Sequence, residues 1–163
     1  MIVLGIDPGT ARLGYGVIDT ADGSPAMIDY GIAETHPTES MPERLLQLYS
    51  NMRLLLAEHD PDVMAVEKLF FARNVTTALA VGQARGVVLL AAAERGIPVR
   101  EYSPSEIKHA VVGYGKADKN QIQEMVRIIL GLDHIPRPDD AADALAIAVC
   151  DAHMTSGYGA YAR

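Results

Sequence analysis

Near its start the chain carries the run Ile2-Val3-Leu4-Gly5-Ile6-Asp7, an apolar stretch that ends on a carboxylate and is cut off by Pro8-Gly9. It reads as a buried strand closed by a turn. An acidic side chain at the end of such a strand is costly to bury unless something pairs with it. Any fold for this chain must therefore bury the strand and still give Asp7 company.

Further along, residues 12–20 and 26–34 are strand candidates, with Asp22-Gly23 as the hairpin turn between them. Leu45, Leu48, Tyr49, Met52 and Leu55 recur at helical spacing and predict an amphipathic helix over 42–58. Asp60-Pro61-Asp62 ends it, and 63–67 forms another buried strand that finishes on Glu67. A long Ala/Leu/Val helix over 74–95 contains Gly82 and Gly86, and Gly96-Ile97-Pro98 precedes a strand over 98–102. Helices are expected at 104–110, at 119–131, and from just after Pro138 to about His153. The tail 155–163 is expected to be mobile. An antiparallel start followed by strand-helix alternation implies an α/β domain over 1–154, with a mixed five-stranded sheet flanked by helices on both faces.

At 163 residues, 49% of them hydrophobic, the chain can bury one core without staples. With no Trp and two Phe, that core must rest on Leu, Ile, Val and Ala. The single Cys150 excludes an internal disulfide and reads as plain core. No uninterrupted apolar run reaches the roughly 18 residues of a membrane span, and the first residues lack a basic n-region. A cytoplasmic protein is the expectation. The formal charge of −7 argues against nucleic acid on its face. Carboxylates that hold divalent cations would, however, be neutralised when loaded.

Asp7 and Glu67 end two strands. If those strands are parallel neighbours, both carboxylates emerge at one sheet edge, where open α/β sheets place their sites. Either alone could instead cap a turn. Pro138-Asp139-Asp140-Ala141-Ala142-Asp143 offers Asp139 as an N-cap and puts Asp140 and Asp143 on one helix face. Acidic residues in a first helical turn are favoured by the macrodipole alone. The alanines at 141, 142, 144 and 146 would let this helix press against the sheet and carry its acidic face to Asp7. Four carboxylates without Cys or suitably spaced His suit a hard cation such as Mg²⁺ or Mn²⁺ and not zinc. Two such ions could activate water and stabilise a leaving oxygen.

The segments GIDPGTARLGYGVID, VEKLFFARN, GQARGV, VVGYGKADKNQIQEMV and PDDAADALAIA resemble, in order and spacing, the motifs of the RuvC family of Holliday-junction resolvases, over about residues 1–154. The resemblance implies an RNase H-like fold, a homodimer, and nicking of four-way junction DNA with Mg²⁺ or Mn²⁺, two ions per site. It implies metal ligation by Asp7, Glu67, Asp140 and Asp143, and partnership with the branch-migration proteins RuvA and RuvB. Some members carry His where Asp140 stands, so Asp here keeps the site all-carboxylate.

Lys108, read as lying in a first helical turn, and Lys119, beside the N-cap candidate Asp118, oppose their helix dipoles, a conflict that phosphate binding would explain. Each could equally be a solvated surface lysine. The resemblance places essential basic residues at both positions. Tyr114 and Lys116, on a Gly-rich loop, are candidate DNA contacts, as is Arg73. Phe70 stands where the family places an aromatic that stacks on a splayed base. Both Phe70 and Phe71 could instead be core residues. Gly82 and Gly86 suggest close backbone approach, which the resemblance assigns to the dimer partner. The five histidines share no metal-ligand spacing. Rival readings are another RNase H-like nuclease, acting on RNA–DNA hybrids or of YqgF type, and an actin-like or Hsp70-like ATPase, whose phosphate loop GIDPGT also resembles.

Overall fold

β1 (Ile2–Asp7) forms the middle of a five-stranded sheet whose order is β3-β2-β1-β4-β5. The structure, a computed structural model, describes residues 1–69 and 75–161, and side chains at 1–69 and 77–156. β2 (Arg12–Asp19) and β3 (Ala26–Glu34) pair antiparallel, joined by the expected turn, in which Gly23 takes φ +81° and its N–H bonds the Thr20 carbonyl. β4 (Val63–Glu67) runs parallel to β1, and β5 (Val99–Tyr102) parallel to β4. The sheet is mixed, as the sequence implies.

The side-chain period of two splits the sheet into two cores. Leu4, Ile6, Leu13, Val17, Met64 and Val66 pack on one face against α1 (Met41–His59) and α2 (Val75–Glu94). Val3, Ile18, Val63 and Ala65 pack on the other against α3 (Pro104–Val112), α4 (Lys119–Ile129) and α5 (Asp139–Tyr161). Cys150 is buried in this second core, as its apolar setting predicts.

α5 runs on past His153, so residues 155–161, read as a tail, are its last turns. Asp139 is the first residue of α5 rather than its cap. The Pro138 carbonyl accepts from the Ala141 N–H, and the Asp139 carboxylate accepts instead from Gln123 and Arg137. The window Thr77–Glu94 of α2 has a mean hydropathy of 1.2 over 18 residues, enough by length and composition for a membrane span despite the sequence expectation. Its inner side is committed to the core through Ala84, Val88, Ala91 and Ala92, which are buried.

Candidate active site

The parallel register pairs Gly5 with Ala65 and Ile6 with Val66, so Asp7 and Glu67 come next in step at one edge of the sheet. Alternation sends both to the α5 face. Val3 and Gly5 precede Asp7 on that face, and Val63 and Ala65 precede Glu67.

α5 brings the other carboxylates there by main-chain contact. A Cβ placed on Gly14, the antiparallel partner of Asp7, would lie 2.0 Å from the Asp140 carbonyl oxygen. One on Gly5 would lie 2.1 Å from the Ala144 oxygen. Only bare backbone on β1 and β2 lets the helix come this close, with Ala141, Ala144 and Ala148 buried beneath it. The small-residue helix predicted to press on the sheet does so, and glycine on the sheet completes the fit.

The charges confirm how tightly these groups sit. Burial, then the negative fields of Asp143, Glu67 and Asp140, push the Asp7 carboxyl from 3.8 up to about 7, against a smaller opposing effect of Lys119. Glu67 is raised by burial and by Asp143, with Lys108 working the other way. Asp143 is raised by burial, although Lys119 donates to it. Four carboxyls crowded beyond what Lys119 and Lys108 offset call for further positive charge.

Asp7, Glu67, Asp143 and Lys108 line one cleft of about 180 Å³, walled on its apolar side by Ile107, Ile122 and Ile147. Asp140 stands outside that lining, and its field still acts on Asp7 and Asp143. Among the described residues no three His, Cys, Asp or Glu side chains are arranged to hold an ion as they stand. Like charges repel, and the Lys119 ammonium is drawn to Asp143 and Asp139, at 3.1 Å and 3.2 Å. The donor set itself fits a hard divalent ion: all oxygen, partly buried and short of positive charge.

Lys119 begins α4 behind Asp118, which caps the helix as predicted and forms a capping box with Gln121. It faces the acidic group. Lys108 falls in the second turn of α3, which starts at Pro104 behind its own Ser103–Glu106 capping box, so its reading as a first-turn residue is corrected. It lines the cleft through the side-chain direction of α3 rather than through a helix end. Tyr114 and Lys116 are exposed on the loop joining α3 to α4, and neither lines the cleft. Phe70, Phe71 and Arg73 lie outside the described residues. Among the described residues, a Cβ on Gly86 would meet nothing within 4 Å, and one on Gly82 would meet the Leu69 side chain at 3.5 Å. Sequence reasoning missed Asp139 as an anchor for Lys119. The macrodipole gave a sufficient reason for an acid there, and only proximity to α4 reveals the second.

A family model described as crossover junction endodeoxyribonuclease RuvC matches residues 3–151. The chain belongs to the RuvC family. A RuvC from Desulfitobacterium hafniense is 58% identical over 156 residues, 96% of this chain and 94% of that protein. The RuvC of Chloroflexus aurantiacus is 59% identical over 153 residues, covering 94% and 93%. Thermus thermophilus RuvC in complex with Holliday junction substrate superposes with a TM-score of 0.92 at 40% identity, over 97% of this chain and 96% of that one. The yeast mitochondrial Holliday junction resolvase Ydc2 gives a TM-score of 0.71 at 18% identity, covering 98% and 80%, which shows shared fold alone. The mixed sheet with helices on both faces is the RNase H-like fold, shared with Thermus thermophilus RuvC.

Proposed function

We propose that this chain is a crossover junction endodeoxyribonuclease that resolves four-way DNA junctions by metal-dependent hydrolysis of phosphodiester bonds. The observation that carries the reading is the meeting of Asp7, Glu67 and Asp143 in one cleft beside Lys108. The intact acidic set and relatives named for this activity support it.

Asp7, Glu67, Asp140 and Asp143 would hold the cations, Mg²⁺ or Mn²⁺, two per site. Bound ions of this kind supply Lewis acidity and a more acidic water. The chain's own groups do the rest. Buried on one side by Ile107, Ile122 and Ile147, the cleft limits water around a strand lying in it. Lys108 is placed to donate to a non-bridging phosphate oxygen, where negative charge grows as the bond breaks. Lys119 holds Asp143 and Asp139 in place and adds a second positive field. Adding water across the P–O3′ bond leaves a 5′-phosphate and a 3′-hydroxyl, ends that a ligase can seal. Tyr114, Lys116, Phe70 and Arg73 are the proposed further DNA contacts.

Two opposed cuts in a symmetric junction call for two copies of the site. α2 is the surface we assign to that homodimer. Leu79 and Leu90 are exposed at 62% and 59%, and Gly86 lies open between them. The setting is the cytoplasm, with RuvA and RuvB as partners.

The test is incubation with a synthetic mobile junction and Mg²⁺ or Mn²⁺, with the nicks mapped on each strand. Paired symmetric nicks are expected. Asp7→Asn should retain the junction and leave it uncut. Preferential cutting of an RNA–DNA hybrid would overturn the reading.

A further inference from the structure

Among the described residues, the lysines and arginines without an ion pair are Arg44, Lys108 and Lys116. Lys108 belongs to the cleft and Lys116 to the neighbouring loop. Arg44 is on the first turn of α1, the helix packed on the sheet face opposite α5.

Its setting is ordered. The Arg44 Nε donates to the Thr35 hydroxyl at 2.8 Å, and that hydroxyl donates to the Thr10 carbonyl at 2.5 Å. Thr35 is 8% exposed, and its N–H also bonds the Ala11 carbonyl, at 3.1 Å. A guanidinium fixed by Nε keeps its two terminal nitrogens as a planar fork. Neither makes a hydrogen bond among the described residues. The fork lines an open cavity of about 550 Å³ together with Arg12, His36 and Gln47. The one carboxylate on its wall, Glu34, is held by Arg12 at 2.9 Å, so it does not neutralise Arg44.

We infer that this cavity is a second phosphate site, at which the Arg44 fork grips a backbone phosphodiester of DNA whose scissile bond lies in the acidic cleft. The inference rests on the proposed junction substrate. Placement supports it. Thr10 follows Asp7 by three residues, at most about 11 Å of chain, and the two hydrogen bonds add only a few ångströms more. At about 3.4 Å of rise per nucleotide, a strand leaving the cleft spans that distance in about five nucleotides. A forked, unpaired cation near a phosphodiester-cutting centre suits bidentate recognition of a phosphate. It carries no sequence information, so it positions rather than selects.

The experiment measures binding of a synthetic four-way junction in EDTA between about 50 and 200 mM salt, and steady-state cleavage with Mg²⁺. Arg44→Gln is expected to weaken binding several-fold and to lower the slope of log K against log salt by about 0.9, the loss of one phosphate contact. In cleavage, the loss should fall mainly on KM. Arg44→Lys should recover the slope without the full affinity. Thr35→Val should weaken binding while keeping the slope, because the charge stays and its orientation is lost. Ten millimolar inorganic phosphate should compete with the wild type less than with a free-anion site, which separates a DNA-backbone contact from a pocket for loose anions. Wild-type affinity and slope in Arg44→Gln would overturn the inference, as would tight phosphate binding that leaves junction affinity untouched. If Arg44→Gln fails to fold, the Lys and Thr35→Val variants decide by the same slopes. A wild type that does not retain the junction defeats the functional reading and this site together. A normal wild type with an indifferent Arg44 defeats this site alone.

Discussion

Lys119, the first residue of α4, donates from 3.1 Å to the Asp143 carboxylate on α5, and the same ammonium lies 3.2 Å from Asp139. The bond ties the orientation of one helix to the acidic face of the other. It also puts one positive charge beside carboxyls that burial and mutual repulsion drive toward the protonated form.

Replacing Lys119 with Met should therefore act on chemistry more than on folding. Loss of one oriented cation at a centre of developing charge costs on the order of 10²–10³ in rate. Single-turnover cleavage of a bound junction is the measurement, with Lys119→Arg recovering part of the loss. A Met variant cutting within threefold of wild type would remove Lys119 from the mechanism.

Asp7 makes the metal-free protein sensitive to pH. Its carboxyl titrates at about 7 in the folded state against 3.8 in the ordinary range, so between those values the folded form keeps a proton that the unfolded form has released. Stability then falls as pH rises through that window, by roughly 2–4 kcal/mol if Asp7 acts alone. Urea unfolding in EDTA at pH 5 and pH 8 should show the fall, and Asp7→Asn should flatten much of it and be the more stable protein at pH 8. A residual slope of the same sign remains from Glu67 and Asp143, which are raised as well. Parallel pH profiles for wild type and variant would contradict this.

Divalent cations should reverse that penalty. Mg²⁺ or Mn²⁺ added at pH 8 is expected to raise Tm with concentration, since a ligand that binds only the folded form stabilises it by mass action. Toward pH 5 the gain should shrink, because the ligands must be deprotonated to bind. Differential scanning calorimetry across a metal titration reads both effects, and an equal gain at both pH values would argue against carboxylate ligation.

How much of this could be read from the residues alone differs from one feature to the next. Asp7 and Glu67 were legible because each closes a short apolar strand, and a parallel pair of such strands leaves their ends level. The Asp118 cap was legible from local sequence too, since an Asp before a helical stretch can accept from its first free N–H groups. The turn occupied by Lys108 was legible and misread, because a helix that starts at 104, as expected, already makes residue 108 its fifth and places it in the second turn. The reach of α5 beyond His153 was not legible, since Gly157 and Gly159 are poor helix formers by composition. The pairing of Arg44 with Thr35 was invisible, since it joins two elements through side chains that carry no spacing signal.

Gly14→Ala probes the contact under Asp140. Its Cβ would fall 2.0 Å from the Asp140 oxygen and 2.5 Å from the Asp140 carbon, backbone atoms that cannot swing aside. Overpacking of this kind costs about 1–3 kcal/mol, readable in urea unfolding. Cleavage should fall further than the folded fraction does, because the start of α5 moves with its carboxylates. Loss of stability with full specific activity would show that α5 can shift without disturbing the site.

Where the start of a helix meets its sheet main chain against main chain, as Asp140 meets Gly14, the spacing between their functional groups has no adjustable spacer. Larger or smaller side chains elsewhere can alter how firmly the molecule holds together, and they leave the gap between Asp7 and the start of α5 at the thickness of two backbones. Under the proposed ligation, drift in such a lineage retunes the centre by exchanging the acidic group itself, which makes position 140, where an acid stands here, the natural dial for metal preference.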